Sequence, residues 1–159
     1  MEDLSLTIEK VISYWQAQNI KIMPRPMEEI QDINKAKALH LPDDFARFYN
    51  RANGMEDYPQ KDYDDEGFGF CRVEDIVSAR EEFGDDTPLG KRKIFVFLDY
   101  MVRCWCYGYE VFDDGSYTIG IIPSNYKFKV ITNSLAKFLD LYMADSELLY
   151  DYGNLDEQE

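Results

Sequence analysis

The run Lys93-Ile94-Phe95-Val96-Phe97-Leu98-Asp99, the run Val102-Arg103-Cys104-Trp105-Cys106-Tyr107-Gly108-Tyr109-Glu110-Val111-Phe112 and the run Ser116-Tyr117-Thr118-Ile119-Gly120-Ile121-Ile122 decide the fold class. All three are rich in β-branched and aromatic residues, which fit the pleated surface of a strand. Tyr117, Ile119 and Ile121 alternate with smaller or polar neighbours, as on a strand with one buried face. Asp113-Asp114-Gly115 separates the second run from the third, and glycine there supplies the positive φ that tight β-turns demand. The spacing predicts antiparallel strands over 93–99, 102–112 and 116–122.

Working outward, a further strand is expected near 127–131. It leads into a helix with Leu135, Phe138, Leu139, Tyr142 and Met143 on one stripe. Upstream, Phe68 to Arg72 reads as a short strand. Val73, Ile76, Val77 and Phe83 read as a short helix before the loop from Gly84 to Gly90. Near the N-terminus, Leu4, Ile8, Val11, Ile12 and Trp15 predict a helix over 4–18, stopped at Asn19. Pro24 and Pro26 interrupt regular structure, and a more polar helix with Glu28 and Glu29 in its first turn runs to Leu39. A third helix starts at Leu41-Pro42-Asp43-Asp44, buries Phe45, Phe48, Tyr49 and Ala52 at three-and-four spacing, and ends at Asn53-Gly54. The expected class is α+β, a central, mostly antiparallel sheet flanked by N-terminal and C-terminal helices. With no repeat and no linker, residues 1–159 read as one domain.

The chain has 159 residues, of which 45% are hydrophobic, so it has the material for a real core and is not expected to be disordered. Its 31 Asp and Glu against 17 Lys and Arg give a formal charge of -14, which repels phosphate backbones and anionic membranes and favours a basic protein partner. No positive, then apolar, leader opens the sequence, and the longest aliphatic and aromatic run, Ile94 to Leu98, is far short of the ~20 residues that span a bilayer. A soluble, cytoplasmic protein is the expectation. Three cysteines, Cys71, Cys104 and Cys106, imply no disulfide framework in a chain of this size.

The negative charge is concentrated. Residues 56–66 hold six acids and Lys61, and the C-terminal stretch 145–159 holds six acids and no base, together -11 of the -14. Solvated loops explain such runs without any function. Tyr58 and Tyr63 among the loop acids make the mixture found at protein interfaces, which is the competing reading.

Chemistry finds little support. Asp62, Asp64, Glu66 and Gly67 match the early positions of a calcium loop, but Val73 stands where a bidentate Glu is required, so no metal site is expected. Cys104 and Cys106 share a strand face, yet with one histidine, His40, the chain lacks zinc-ligand spacing, and buried, inert cysteines are the expectation. Arg103, Trp105, Tyr107 and Tyr109 share the other face, where rings either stack bases or pack in the core; the acidic charge and the available helices favour the core. Gly67-Phe68-Gly69 lacks the third glycine of a phosphate loop. No catalytic residue and no cofactor is assigned.

The order of features resembles the SUKH superfamily, in particular its Smi/Knr-like branch. The resemblance rests on Leu41-Pro42-Asp43-Asp44-Phe45 through Phe48-Tyr49-Asn50 to Asn53-Gly54, on Phe70 to Ile76, on the strand Ile94 to Tyr100 with the hairpin after it, and on the helix Ser134 to Tyr142. It covers about Glu28 to Tyr142 through short, degenerate motifs. It implies an α+β domain used in bacteria as an immunity protein that binds and neutralises a cognate polymorphic toxin, in many cases a nuclease. Eukaryotic relatives serve as signalling or scaffold modules. The family carries no catalytic residues, and Pro42, Phe45, Phe48, Asn53 and Gly54 are then fold-specifying. The acidic insertion after Gly54 and the acidic tail depart from the family pattern. With that implication, the candidate partner-binding residues are Glu56, Asp57, Asp62, Tyr63, Asp64, Asp65 and Glu66, with Asp113 and Asp114 second. The expected partner is a basic toxin protein, with no direct nucleic acid, no membrane and no cofactor. The alternative is a protein-interaction or regulatory module without a toxin.

Overall fold

The Asp3 carboxylate accepts the N–H of Leu6 and starts helix α1 (Leu4–Gln16), whose Leu4, Ile8, Val11 and Trp15 are buried on one face. The computed structural model describes residues 3–58, 63–101 and 104–150. Helix α2 (Met27–Lys37) follows Pro26, carries Glu28 and Glu29 in its first turn and buries only Ile30, as its polar sequence demands. Helix α3 (Asp43–Arg51) starts directly after Pro42 and buries Phe45, Ala46, Phe48 and Tyr49. Beyond it, Gly54 adopts φ +69° with its α-carbon against the Cys71 carbonyl, which any β-carbon would overlap. Asn53 is buried beside it. Its side chain accepts the Val73 N–H at 2.8 Å and donates to Glu74 at 3.0 Å, tying the helix end to the next segment.

That segment departs from the expected short helix. Val73–Asp75 form one 3₁₀ turn, then strand β2 (Val77–Ser78) intervenes before the five-residue helix α4 (Ala79–Phe83). The Asn53 bond holds the backbone at Val73, and Val77 and Ser78 pair with Val96 and Phe95 instead of continuing a helix. Preceding them is β1 (Phe68–Phe70); following them are β3 (Ile94–Tyr100), β4 (Trp105–Val111), β5 (Tyr117–Ile122) and β6 (Lys129–Thr132). Every pairing is antiparallel. β1 and β2 lie along one side of β3, and β4, β5 and β6 follow on the other. Helix α5 (Leu135–Met143), capped by Ser134, is the last α-helix, so the chain is α+β with helices at both ends of a mostly antiparallel sheet.

One sheet face carries α1, α3 and α5. Phe45 meets Phe97 and Tyr109, Phe70 meets Trp15 and Tyr142, and Tyr107 meets Phe138, so the aromatic row at Tyr107 and Tyr109 is core. The other face is covered more thinly, by α4 and the connecting segments. Ala79 and Leu89 pack there with Ile94, Val96, Cys106 and Ile122.

The acidic C-terminal stretch does not begin as a solvated tail. Glu147–Tyr150 form a 3₁₀ turn that buries Leu149 completely, and the Leu149 carbonyl accepts the Tyr107 hydroxyl at 2.6 Å. Residues 151–159 lie outside the described residues.

Candidate partner-binding surface

The acidic loop leads from the end of α3 into β1 under tight control. Met55 donates to the Phe70 carbonyl and Glu56 to the Lys21 carbonyl, both at 3.0 Å. The chain then crosses to the sheet face opposite the long helices. Phe68 and Phe70 point toward α5, so Gly69 points the other way, and two tyrosine rings lie where its side chain would be. A β-carbon there would overlap the Tyr58 ring and come within 2.8 Å of Tyr63. Tyr58 is buried and donates its hydroxyl to Asp99 Oδ2, and Tyr63, half-buried, donates to the same oxygen at 3.4 Å. Burial, then the bond to Asp99, pushes the Tyr58 phenol far above its usual range. Tyr63 was expected to supply an interface aromatic; its hydroxyl is turned inward. Gly69→Ala is expected to lift both rings and cost about 2 kcal/mol, read as a lowered urea midpoint. An unchanged midpoint would place the rings elsewhere.

Asp64 sits deeper still, at 6% exposure. Its Oδ1 accepts the N–H groups of Glu66 and Phe68, each at 2.9 Å, and its Oδ2 accepts the Tyr142 hydroxyl. Tyr142 in turn accepts the Trp15 indole N–H at 2.8 Å. Burial raises the Asp64 carboxyl above the usual range against the pull of these hydrogen bonds. This carboxylate therefore ties α1, α5 and β1 together and is not displayed outward.

Of the remaining described loop acids, two face solvent and two do so in part. Asp65 and Glu66 are exposed, and Glu56 and Asp57 are half-buried; Asp62 lies outside the described residues. The ion pairs among the described residues engage Glu9, Glu29, Glu74, Asp75, Asp85, Glu110 and Asp113. Glu56, Asp65 and Glu66 take part in none of them. Asp65 and Glu66 thus form an anionic edge with no ion-pair partner among the described residues, and the Asp65 backbone N–H is held by Gln18 at the end of α1 at 2.7 Å.

Asp113 and Asp114 sit at the opposite end of the sheet. Tyr100 pairs with Phe68 and Trp105 beside the loop, whereas Ile94 pairs with Glu110 near the β4–β5 turn. The length of β4, about 20 Å, keeps the two groups of acids apart. Asp113 lies 3.7 Å from Lys93, and Asp114 accepts both the Ser116 hydroxyl and the Ser116 N–H, which lowers its carboxyl pKa.

Beside the loop lie residues that the sequence reading did not place in any interface. The Tyr100 and Trp105 rings stack at 4.6 Å, and Tyr150 meets both edge-on at 5.5 and 6.5 Å. Met101 is 51% exposed, and its N–H donates to the Gly67 carbonyl at 2.8 Å, next to Glu66. Tyr14 sits close to Asp64, Glu66 and Asp145; burial first, then these charges, raises its phenol pKa. The expected strand over 102–112 put Trp105 inside β4, and only the structure, in which β4 begins at Trp105, sets it at a strand end.

Of the three free cysteines, Cys71 and Cys106 are buried, while Cys104 is exposed. The strand begins at Trp105, and Cys104 falls in the preceding turn, its N–H donating to the Tyr100 carbonyl at 2.9 Å, so it does not share the strand face of Cys106. Val102 and Arg103 lie outside the described residues. Among the described residues no group of three or more His, Cys, Asp or Glu side chains is placed to hold a metal ion, and no helix is long and apolar enough to cross a membrane.

Comparison with known families gives a match to the SMI1 / KNR4 family (SUKH-1) over residues 26–141. That span runs from the residue before α2 into α5 and includes the acidic loop. No curated protein and no solved structure matches the chain.

Proposed function

The chain belongs to the SMI1 / KNR4 family (SUKH-1), and from this premise we propose that it is a cytoplasmic immunity protein that binds a cognate polymorphic toxin domain, a basic nuclease, and neutralises it by one-to-one association. The observation that carries this reading is the anionic edge at Asp65 and Glu66, which no ion pair among the described residues compensates. A nuclease holds its substrate by cationic side chains that bind phosphates. Exposed carboxylates compete for those same groups, and they accelerate the encounter of two oppositely charged surfaces. Inhibition then requires occupancy only, with no chemical step in the immunity protein.

The test uses a purified candidate toxin domain taken from the genes neighbouring this one. Equimolar purified protein is expected to co-elute with that domain in a one-to-one complex and to abolish its nuclease activity. Full nuclease activity at a tenfold excess of this protein would overturn the reading.

A further inference from the structure

We infer that a cleft lined by His40, Arg80, Lys91, Arg92, Lys93 and Phe95 is a binding site for a small phosphorylated molecule, separate from the toxin-binding role proposed above. The cleft measures about 480 Å³, within the size range of small-molecule sites, and lies between the α2–α3 connector and the loop that joins α4 to β3. Both walls fall entirely within the described residues. Its charge runs against that of the molecule. In a chain of net charge -14, four bases and one acid, Asp85, line it. Lys91-Arg92-Lys93 is the only run of three successive bases in the sequence.

The walls are set before any ligand arrives. Leu39 is buried, its carbonyl accepts the Tyr109 hydroxyl at 2.9 Å, and the Leu41 N–H donates to the Asn34 side chain at 3.0 Å, so both neighbours of His40 are pinned. His40 itself takes φ +49° and stands exposed between them, its ring 6.0 Å from that of the largely buried Phe95. On the opposite side Leu89 is wholly buried, and Gly90 lies so close to the Asp85 carbonyl that a β-carbon would overlap it. The arginines are already engaged. Arg92 clamps Glu110 through Nε at 2.8 Å and Nη2 at 2.7 Å, and Arg80 donates to both oxygens of Asp85. The planar forks that match a carboxylate are therefore spent, and the ammonium groups remain. Lys91 enters no ion pair among the described residues, and Lys93 has only the fully exposed Asp113 at 3.7 Å, a contact worth little in water. Ammonium groups act as point charges and hold a tetrahedral phosphoryl group without a planar match. An extended polyanion such as nucleic acid is repelled by the rest of the surface, so the ligand is compact.

His40 is the sole histidine of the chain, so its imidazole proton NMR signals report on the cleft directly. At constant pH, adenosine 5′-monophosphate is expected to shift them saturably, with a dissociation constant below about 1 mM. Adenosine, which lacks the phosphoryl group, and succinate, a dicarboxylate, should each bind about tenfold more weakly or worse. Lys91→Glu combined with Lys93→Glu should weaken binding of the nucleotide about tenfold or more. Lys10→Glu combined with Lys137→Glu, at two exposed lysines outside the cleft, makes the same change in net charge and should weaken it less than about threefold. Signals unmoved by about 10 mM adenosine 5′-monophosphate would overturn the site. Adenosine or succinate binding as tightly as the nucleotide would overturn the phosphoryl ligand, and these arms need no variant. Equal losses in the two folded double variants would reduce the effect to net charge and overturn the cleft. None of these outcomes bears on the immunity reading, which stands or falls on the complex with the toxin domain.

Discussion

Asp64→Ala is expected to destabilise the protein by about 3–5 kcal/mol, a large part of the roughly 5–15 kcal/mol that holds a domain folded. The substitution removes the acceptor of three donors at once: the N–H groups of Glu66 and Phe68 and the hydroxyl of Tyr142. Phe68 and Tyr142 are buried, so water does not replace what is lost. For a chain of this length the melting temperature should fall by about 6–20 °C. Asp64→Asn retains an acceptor for the two backbone groups and should cost far less. The pair also reports the charge. Because the folded carboxyl titrates above its unfolded value, the native state binds the proton more tightly, and this group's contribution falls as pH rises from the unfolded value near 3.9 through the raised folded one. The stability of wild type relative to Asp64→Asn should therefore decline across that window. Denaturant melts at several pH values measure it. An Asp64→Ala protein within 1 kcal/mol of wild type would show that the carboxylate is no tie.

The second large effect is kinetic. Reversing Glu56, Asp65 and Glu66 to lysine together is expected to slow association with the toxin domain about 100-fold at low salt, from the steered range near 10⁸ M⁻¹s⁻¹ toward the unsteered 10⁶. Dissociation should change little. None of the three side chains takes part in an ion pair among the described residues, so the fold is expected to tolerate the change. Stopped-flow association measured from low to high salt gives the diagnostic. The wild-type rate should fall steeply with salt while the variant's stays nearly flat, and the two should converge at high salt. Parallel slopes would remove the loop from the interface.

The α+β class was legible because several independent local signals agreed. The β-branched and aromatic runs from Lys93 to Ile122, the Asp-Asp-Gly turn, the proline at the start of α3 and the Asn53-Gly54 stop all point to one arrangement. The site was legible only as composition. Asp64 and Asp65 are adjacent identical residues, one buried and one exposed, and what separates them is Tyr142, 78 positions away, with Trp15 behind it. No local pattern carries that. Two signals were present and weaker. Gly69 between two phenylalanines in a strand marks a close approach from the other face, which Tyr58 and Tyr63 make. Leu148-Leu149-Tyr150 is an apolar interruption in an acidic stretch, and Leu149 is wholly buried. The β-turn acids and the loop acids look equivalent in sequence, and only the direction of β4 sets them at opposite ends.

The two indoles of the chain occupy contrasting places, one sealed behind the Tyr142 hydroxyl and the other half-open on the Tyr100 ring. Their emission should separate accordingly. Trp15 should fluoresce at short wavelength and resist acrylamide quenching until the whole molecule unfolds, whereas Trp105 should be red-shifted and quenched by acrylamide in the native state. With each silenced in turn by phenylalanine, the protein carries its own optical reporters, one for unfolding and one for events at the surface.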